Sequence, residues 1–349
     1  MSEKYVAYVG TYTHEKSEGI YVYDIDVTTG AMKERSVAYI NNPSYVCLSH
    51  DGKFLYSIAD EGVAAFSVDA NGDLKKINQA WIGGMRGCYL EVDSQNRFLF
   101  VGGYHDGRVT MMRLNRDGSI RGISQGIFHQ GLAISASERR LDHPKVSCVK
   151  LTPDEKYLCA ADHGLNQIKV YRVDYKMGKL KLEDIVRCSM DSAPRSIRFS
   201  ADSRFMYVLT ELANEVEVYS FKDEGDEPEF ERVQTISTCE EPYASSSACM
   251  DISKDDKYIY VSVDGYDEVA IFKRSLKTGK LTFEQSTPVS GDFPKSLEIM
   301  PDNKHYLVLN HDSNQICGFA TYHDKKYSLM NVPPVSVGKP NCIKLLKLA

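Results

Sequence analysis

One pattern recurs six times along the 349 residues and constrains the fold more than any other feature. Each copy reads as an alternating apolar strand, a turn carrying Asp or Asn, a basic residue, a ring-bearing residue, and a second strand. The copies are NPSYVCLSHDGKFLYSI from Asn42, RGCYLEVDSQNRFLFVG from Arg86, KVSCVKLTPDEKYLCAA from Lys145, APRSIRFSADSRFMYVL from Ala193, SACMDISKDDKYIYVSV from Ser247 and FPKSLEIMPDNKHYLVL from Phe293. The ring-bearing position is Phe54, Phe98, Tyr157, Phe205, Tyr258 and His305, with steps of 44, 59, 48, 53 and 47 residues. Repeats of roughly 40–50 residues built from several short strands are the signature of a β-propeller.

Each copy continues into a third strand, such as KVYRVD, EVYSF or VAIFKR. A fourth follows turns such as VTTGAM, DANGDL, NRDGSI and LKTGKL. The glycine in those turns supplies the positive φ a tight hairpin needs. Each unit is therefore a four-stranded antiparallel meander. The two ends supply a seventh: KPNCIKLLKL reads as an isolated first strand, with Pro340 where Pro43, Pro194 and Pro294 stand in other copies. YVAYVGTY and GIYVYDID read as the second and third strands. Pairing tail with head removes two exposed sheet edges. The prediction is an all-β, seven-bladed propeller forming a single domain over residues 1–349, with a loop insertion around Phe128–Pro144 accounting for the long step.

Composition narrows the function classes. Hydrophobic residues make up 42% and charged residues 26%, too apolar for a disordered chain. A net charge of −6 gives no basic excess for nucleic-acid binding. No apolar run approaches the length of a membrane helix, and the first residues lack the apolar core of an export signal. The nine cysteines are odd in number and form no CxxC pair. They read as reduced thiols of a cytoplasmic protein.

In such a meander the chain enters the first strand and leaves the second at one end, while the Asp-Gly type turns lie at the other. The loops GYHDGR, DHGLNQ, TELANE, DGYDE and NHDSNQ therefore share a face, where variable loops on a rigid scaffold form a site. Aligning the copies gives an opening column on the first strands: Ser44, Cys88, Ser147, Arg195, Ala248, Lys295 and Asn341. Three residues on, a second column reads Cys47, Glu91, Lys150, Arg198, Asp251, Glu298 and Lys344. Charges inside apolar strands must be solvated or paired, so this second column is expected to ring a wet central channel, most simply as ion pairs.

Candidate site residues follow from these columns. Arg195 and Glu211 lie on adjacent strands of the fourth copy and should emerge at one rim, as an anion clamp beside a carboxylate able to activate water, or else as a structural ion pair. Substrate contacts are expected from Lys145, His143, His163, Tyr104, Lys295, Asn310 and His311. His50 and His305 fall on the opposite face. No metal-ligand spacing stands out, and no cofactor is expected.

YVGTYTHEKSEGIYVYDID, NPSYVCLSHDGKFLYSI, APRSIRFSADSRFMYVLTELANEVEVY and KPNCIKL resemble the lactonase seven-bladed propeller family over essentially the whole chain. That family includes propeller-type 6-phosphogluconolactonases and carboxy-cis,cis-muconate lactonising enzymes. The resemblance implies a metal-independent propeller acting at its channel mouth on a small acidic substrate, in sugar-acid metabolism such as the pentose phosphate pathway. It carries over Arg195, from the family's Pro-Arg-His, and Glu211, from its Asn-Glu-Leu. Ser196 stands where that His would be, and Lys145-Val146-Ser147 replaces its His-x-His. Its Glu-Ile-Arg is Cys249-Met250-Asp251, its Asn-Arg-Gly is Val263-Asp264-Gly265, and its second Pro-Arg-His is Pro294-Lys295-Ser296. The expected activity is hydrolysis of a small acidic sugar lactone, most simply 6-phosphogluconolactone. The alternatives are a lactonase or cycloisomerase for another sugar acid or unsaturated acid, motivated by the missing His and by Asp264, and a non-catalytic binding propeller.

Overall fold

The computed structural model describes residues 3–131, 143–223, 227–241 and 245–348. The described residues form strands and turns without a helix, in seven four-stranded antiparallel sheets. Blades 1–6 run in chain order from inner strands Val46–Leu48, Tyr89–Val92, Val146–Leu151, Pro194–Phe199, Ser246–Ile252 and Pro294–Ile299. Blade 7 takes its inner strand, Pro340–Lys347, from the C-terminus and its other three, Tyr5–Thr11, Gly19–Asp26 and Ala31–Tyr39, from the N-terminus. The expected composite blade closes the ring, with Tyr5 opposite Lys347 and Tyr8 opposite Lys344. The insertion expected around Phe128–Pro144 lies largely outside the described residues.

Burial explains the strand patterns. Second strands such as Phe98–Gly103 and Phe205–Thr210 are buried throughout, because neighbouring blades cover both faces. Outer strands such as Ala31–Tyr39 alternate and face water on one side. The core lies between blades, as where Tyr207 and Val218 of blade 4 pack with Met250 and Val261 of blade 5.

Two sets of side-chain links clasp neighbouring blades. On the turn face, buried tyrosines on second strands donate to carbonyls of the next blade's tight-turn glycines. Tyr8 reaches Gly72 O at 2.8 Å, Tyr56 reaches Gly118 O at 3.1 Å and Tyr207 reaches Gly279 O at 2.9 Å. Gly118 and Gly279 have positive φ, and a Cβ there would press into the Phe54 or Phe205 ring, so both positions require glycine. On the other face, left-handed Asn or Asp residues of the loops accept from the backbone entering the next blade. Asn166 Oδ1 takes Ala193 N–H at 2.9 Å, Asp267 takes Phe293 N–H at 3.0 Å, and Asn314 takes Lys339 N–H at 2.8 Å.

Candidate active site

The inner strands begin with a shared elbow. Asn42, Ala193, Phe293 and Lys339 all have φ between 44 and 56°, and each precedes a proline. A left-handed conformation is uncommon for such side chains and is tolerated where surrounding structure fixes it. The residue after each proline belongs to the opening column. Ser147, Arg195, Ala248 and Lys295 each coincide with a break in strand pairing, as between Pro194 and Ser196 or Pro294 and Ser296. Such bulges re-aim a side chain. In a regular strand, positions three apart face opposite ways. The bulge turns both columns toward the axis.

The channel they line has two chambers. The one on the loop face encloses about 310 Å³, and all seven opening-column residues border it. The chamber on the turn face encloses about 560 Å³, and all seven residues of the second column border that one. Tyr45, Tyr89, Arg198 and Lys344 border both and form the neck. The two tyrosine rings sit 4.3 Å apart, and Arg198 Nη1 donates to Tyr89 Oη at 3.3 Å. The charged ring resolves into three pairs between adjacent blades: Lys150–Glu91 at 2.7 Å, Arg198–Asp251 at 3.5 Å and Lys344–Glu298 at 3.7 Å. This is the expected ion-paired lining.

The first chamber holds Arg195 and Glu211 together. Arg195 Nη1 donates to Glu211 Oε2, and its Nε donates to Ala248 O at 2.6 Å. Their side chains remain 26% and 22% accessible, so the pair is open to the cavity. Among the described residues no protein hydrogen bond is made by Arg195 Nη2 or Glu211 Oε1, which leaves a donor and an acceptor for a ligand. Burial would raise the Glu211 carboxyl, but Arg195 and His163 outweigh it and hold that carboxyl far below the usual carboxylate range. His163 Nε2 lies 3.3 Å from Glu211 Oε2. Burial works against the Arg195 cation, and the Glu211 charge more than restores it.

Lys295 and Tyr104 also border this chamber. The Lys295 ammonium lies 5.3 Å from the Tyr12 ring centroid and 5.0 Å from that of Phe293, and among the described residues no carboxylate stands within ion-pair distance of it. Burial and the neighbouring Arg195 push its pKa down to about 8. His311 borders an adjoining rim cavity of about 300 Å³ together with Tyr12, His14, Lys295 and Lys339.

Four expected contacts take other places. His163 is buried behind Glu211 and edge-on to Tyr104, 5.3 Å between centroids, and does not border the chamber. Asn310 is fully buried, and its Nδ2 donates to Val289 O at 3.1 Å; it ends a second strand on the face turned into the sheet, where it serves packing. Neither Lys145 nor His143 borders the chamber. The Lys145 backbone is bound on both sides, N–H to Asp162 Oδ1 and C=O from His163 N–H, both at 2.9 Å, and His143 is exposed. Of the two histidines expected on the turn face, His50 is exposed, whereas His305 is half-buried against Asp302 at 2.6 Å. Among the described residues no group of three or more His, Cys, Asp or Glu is arranged to hold a metal ion.

Residues 6–345 match the family described as lactonase, 7-bladed beta-propeller. The chain belongs to that family. Among its relatives, a 6-phosphogluconolactonase of Bacillus subtilis is 30% identical over 98% of this chain and 99% of its own length. Another 6-phosphogluconolactonase, from Formosa agariphila, is 29% identical over 89% of this chain and 91% of its own. Among solved structures, the periplasmic gluconolactonase PpgL of Pseudomonas aeruginosa superposes with a TM-score of 0.91 at 27% identity, covering 99% of this chain and all of that one.

Sequence reasoning missed several residues of this lactonase propeller's mouth. Tyr12 follows the second strand of the composite blade, and Tyr45 and Tyr89 each follow an opening-column residue. Those positions were legible as columns, but the bulge that turns neighbouring residues to one side was not.

Proposed function

We propose that this propeller hydrolyses the lactone of a small acidic sugar, 6-phosphogluconolactone giving 6-phosphogluconate. The observation that carries the reading is the Arg195–Glu211 pair, which keeps a donor and an acceptor facing a chamber that also holds Lys295. The named activity of the relatives supports it.

The reaction adds one water and breaks one bond. Glu211 Oε1, an ionised carboxylate, accepts a hydrogen bond from water and draws off its proton as the water oxygen attacks the lactone carbonyl carbon. Arg195 Nη2 donates to the carbonyl oxygen as it becomes an oxyanion. Collapse of this intermediate breaks the bond to the ring oxygen, which leaves as the sugar hydroxyl by taking the proton that Glu211 drew from water, so that Glu211 is again ionised. The deeply depressed carboxyl makes Glu211 a weak base, adequate for an ester whose ring opening is downhill. The Arg195 guanidinium supplies the larger share of the stabilisation.

Two alternatives lose ground. Asp264 borders neither the chamber nor the adjoining rim cavity, so it gives no reason for a phosphate to be rejected. An enclosed mouth of about 310 Å³ lined by Arg195 and Glu211 suits a small molecule better than a protein surface. The nine cysteines are all free, which supports a reducing, cytoplasmic setting.

The test is acid release from 6-phosphogluconolactone in a pH-stat, with spontaneous hydrolysis subtracted. Wild type should exceed background, and Glu211→Gln should lose about 10²-fold or more. Equal rates for wild type and Glu211→Gln would end this reading.

A further inference from the structure

The rim cavity beside the mouth is a feature the lactonase reaction itself does not use. It forms at the seam where the ring closes. Tyr12 and His14 come from the loop after blade 7's second strand, and Lys339 is the residue before its inner strand. Lys295 and His311 come from blade 6. Backbone links hold the seam together: Tyr12 N–H donates to Lys339 O at 3.1 Å, and His311 Nδ1 lies 3.0 Å from Pro340 O. That carbonyl can only accept, so Nδ1 carries the hydrogen and Nε2 is left as the ring's second site.

Tyr12 and Lys295 border both cavities, so the rim cavity adjoins the reaction chamber. Its charge is one-sided near that junction. Lys295 faces aromatic rings rather than a carboxylate. Among the described residues Lys339 Nζ pairs only with Asp312 at 3.3 Å, a carboxylate 56% accessible and thus weakly held. Burial and Lys295 both disfavour the His311 cation, a penalty that a bound anion would lift. Beside that junction three basic side chains thus meet one exposed carboxylate, in a cavity that shares Tyr12 and Lys295 with the chamber of Arg195.

We propose that this cavity is the phosphate subsite, with Lys295, Lys339 and His311 taking the phosphoryl group while the lactone carbonyl lies against Arg195. The proposal rests on the lactonase reading for the orientation it assigns to substrate. The selectivity follows from the chemistry: a phosphate dianion displaces the exposed Asp312 from Lys339, whereas a neutral hydroxymethyl group gains nothing there. Tyr12 stacks near His14 and lies edge-on to His311, walling the subsite on two sides.

The experiment measures two things on wild type, Lys339→Gln and His311→Gln. Calorimetry compares binding of 6-phosphogluconate with that of gluconate, and initial rates compare 6-phosphogluconolactone with glucono-δ-lactone. Wild type should bind the phosphorylated acid at least 10-fold more tightly. Lys339→Gln should shrink that preference by at least 5-fold and raise KM for the phosphorylated lactone more than it changes kcat. The exposed Lys75→Gln on blade 1 serves as the charge control and should keep the full preference. Equal affinity of wild type for both acids, or an undiminished preference in both rim variants, would overturn the subsite. Failure of wild type to hydrolyse either lactone, with a Lys339-dependent phosphate preference intact, would instead overturn the lactonase reading and leave the subsite standing.

Discussion

The Lys295 ammonium lies between the ring faces of Tyr12 and Phe293, in a mouth that also holds Arg195. Burial is the main reason its pKa falls to about 8; Arg195 and Arg86 push the same way, against the pull of Glu211 and Asp312. The cation is therefore largely present at pH 7 and largely lost by pH 9, so anion affinity should fall as pH rises. A bound anion favours the charged form and moves the midpoint upward in the complex. Calorimetry should show 6-phosphogluconate binding several-fold weaker at pH 9 than at pH 7, with a smaller fall in Lys295→Met, where His311 remains. The stability effect has the opposite slope. Between about 8 and the ordinary 10.5, the unfolded chain binds the proton that the folded one has lost, so folding gains stability with rising pH. Below pH 8 the buried charge is a standing cost, and Lys295→Met should raise Tm at pH 7. A lower Tm would mean that the aliphatic stem matters more than the charge. Arg195 and Lys295 were legible in the sequence because a cation stood in an aligned, otherwise uncharged column. Asn310 misled because a strand's last residue faces the core or the mouth according to a parity that the loop sequence does not reveal.

At the level of the element, strand order and turn chemistry were readable because each copy carries the same period-2 alternation and the same turn glycine. The proline-preceded elbows and the bulges were not, since they rest on backbone conformations that Ala193, Phe293 and Lys339 do not favour by type. Nor did the sequence announce why tyrosine is so frequent. The blade-to-blade tyrosines supply part of the answer, and they differ in a testable way. Tyr207 Oη donates to Gly279 O and also accepts from Arg274 Nε, whose side chain is fully buried and held by Asp256 at 2.5 Å. Among the described residues Tyr56 Oη has only Gly118 O at 3.1 Å. Tyr207→Phe strands a buried cationic donor as well as a carbonyl and should cost about 2–3 kcal/mol, whereas Tyr56→Phe should cost about 1 kcal/mol. Denaturant unfolding of the two variants checks the ranking, and equal losses would remove Arg274 from the account.

At the scale of the whole molecule, closure of the ring is what fixes the site, because Lys295, Tyr12 and Lys339 meet across its seam. Six of the seven blade-to-blade junctions are crossed by the chain after a complete meander. The seventh blade instead joins the two ends through the pairing of Tyr5–Thr11 with Pro340–Lys347. Every junction is thereby crossed by covalent chain, and the circle is closed within a blade by this antiparallel pair and its ladder of backbone hydrogen bonds. A circular permutant tests the idea. Joining the strands Tyr5–Thr11 and Pro340–Lys347 by a short Gly-Ser linker is geometrically undemanding, since Tyr5 and Lys347 are register partners. Opening the chain between Gly83 and Gly84, in the link from blade 1 to blade 2, leaves seven sequential blades and one junction with no covalent crossing. That junction would be held by side-chain packing and by isolated hydrogen bonds such as Tyr56 to Gly118 O and Asn78 to Ile120, which can part without breaking a strand ladder. The permutant should fold, because all seven sheets remain complete, but with a lower Tm by calorimetry than the natural chain. A Tm equal to or above the natural one would show that packing between blades suffices and that the composite blade adds no stability.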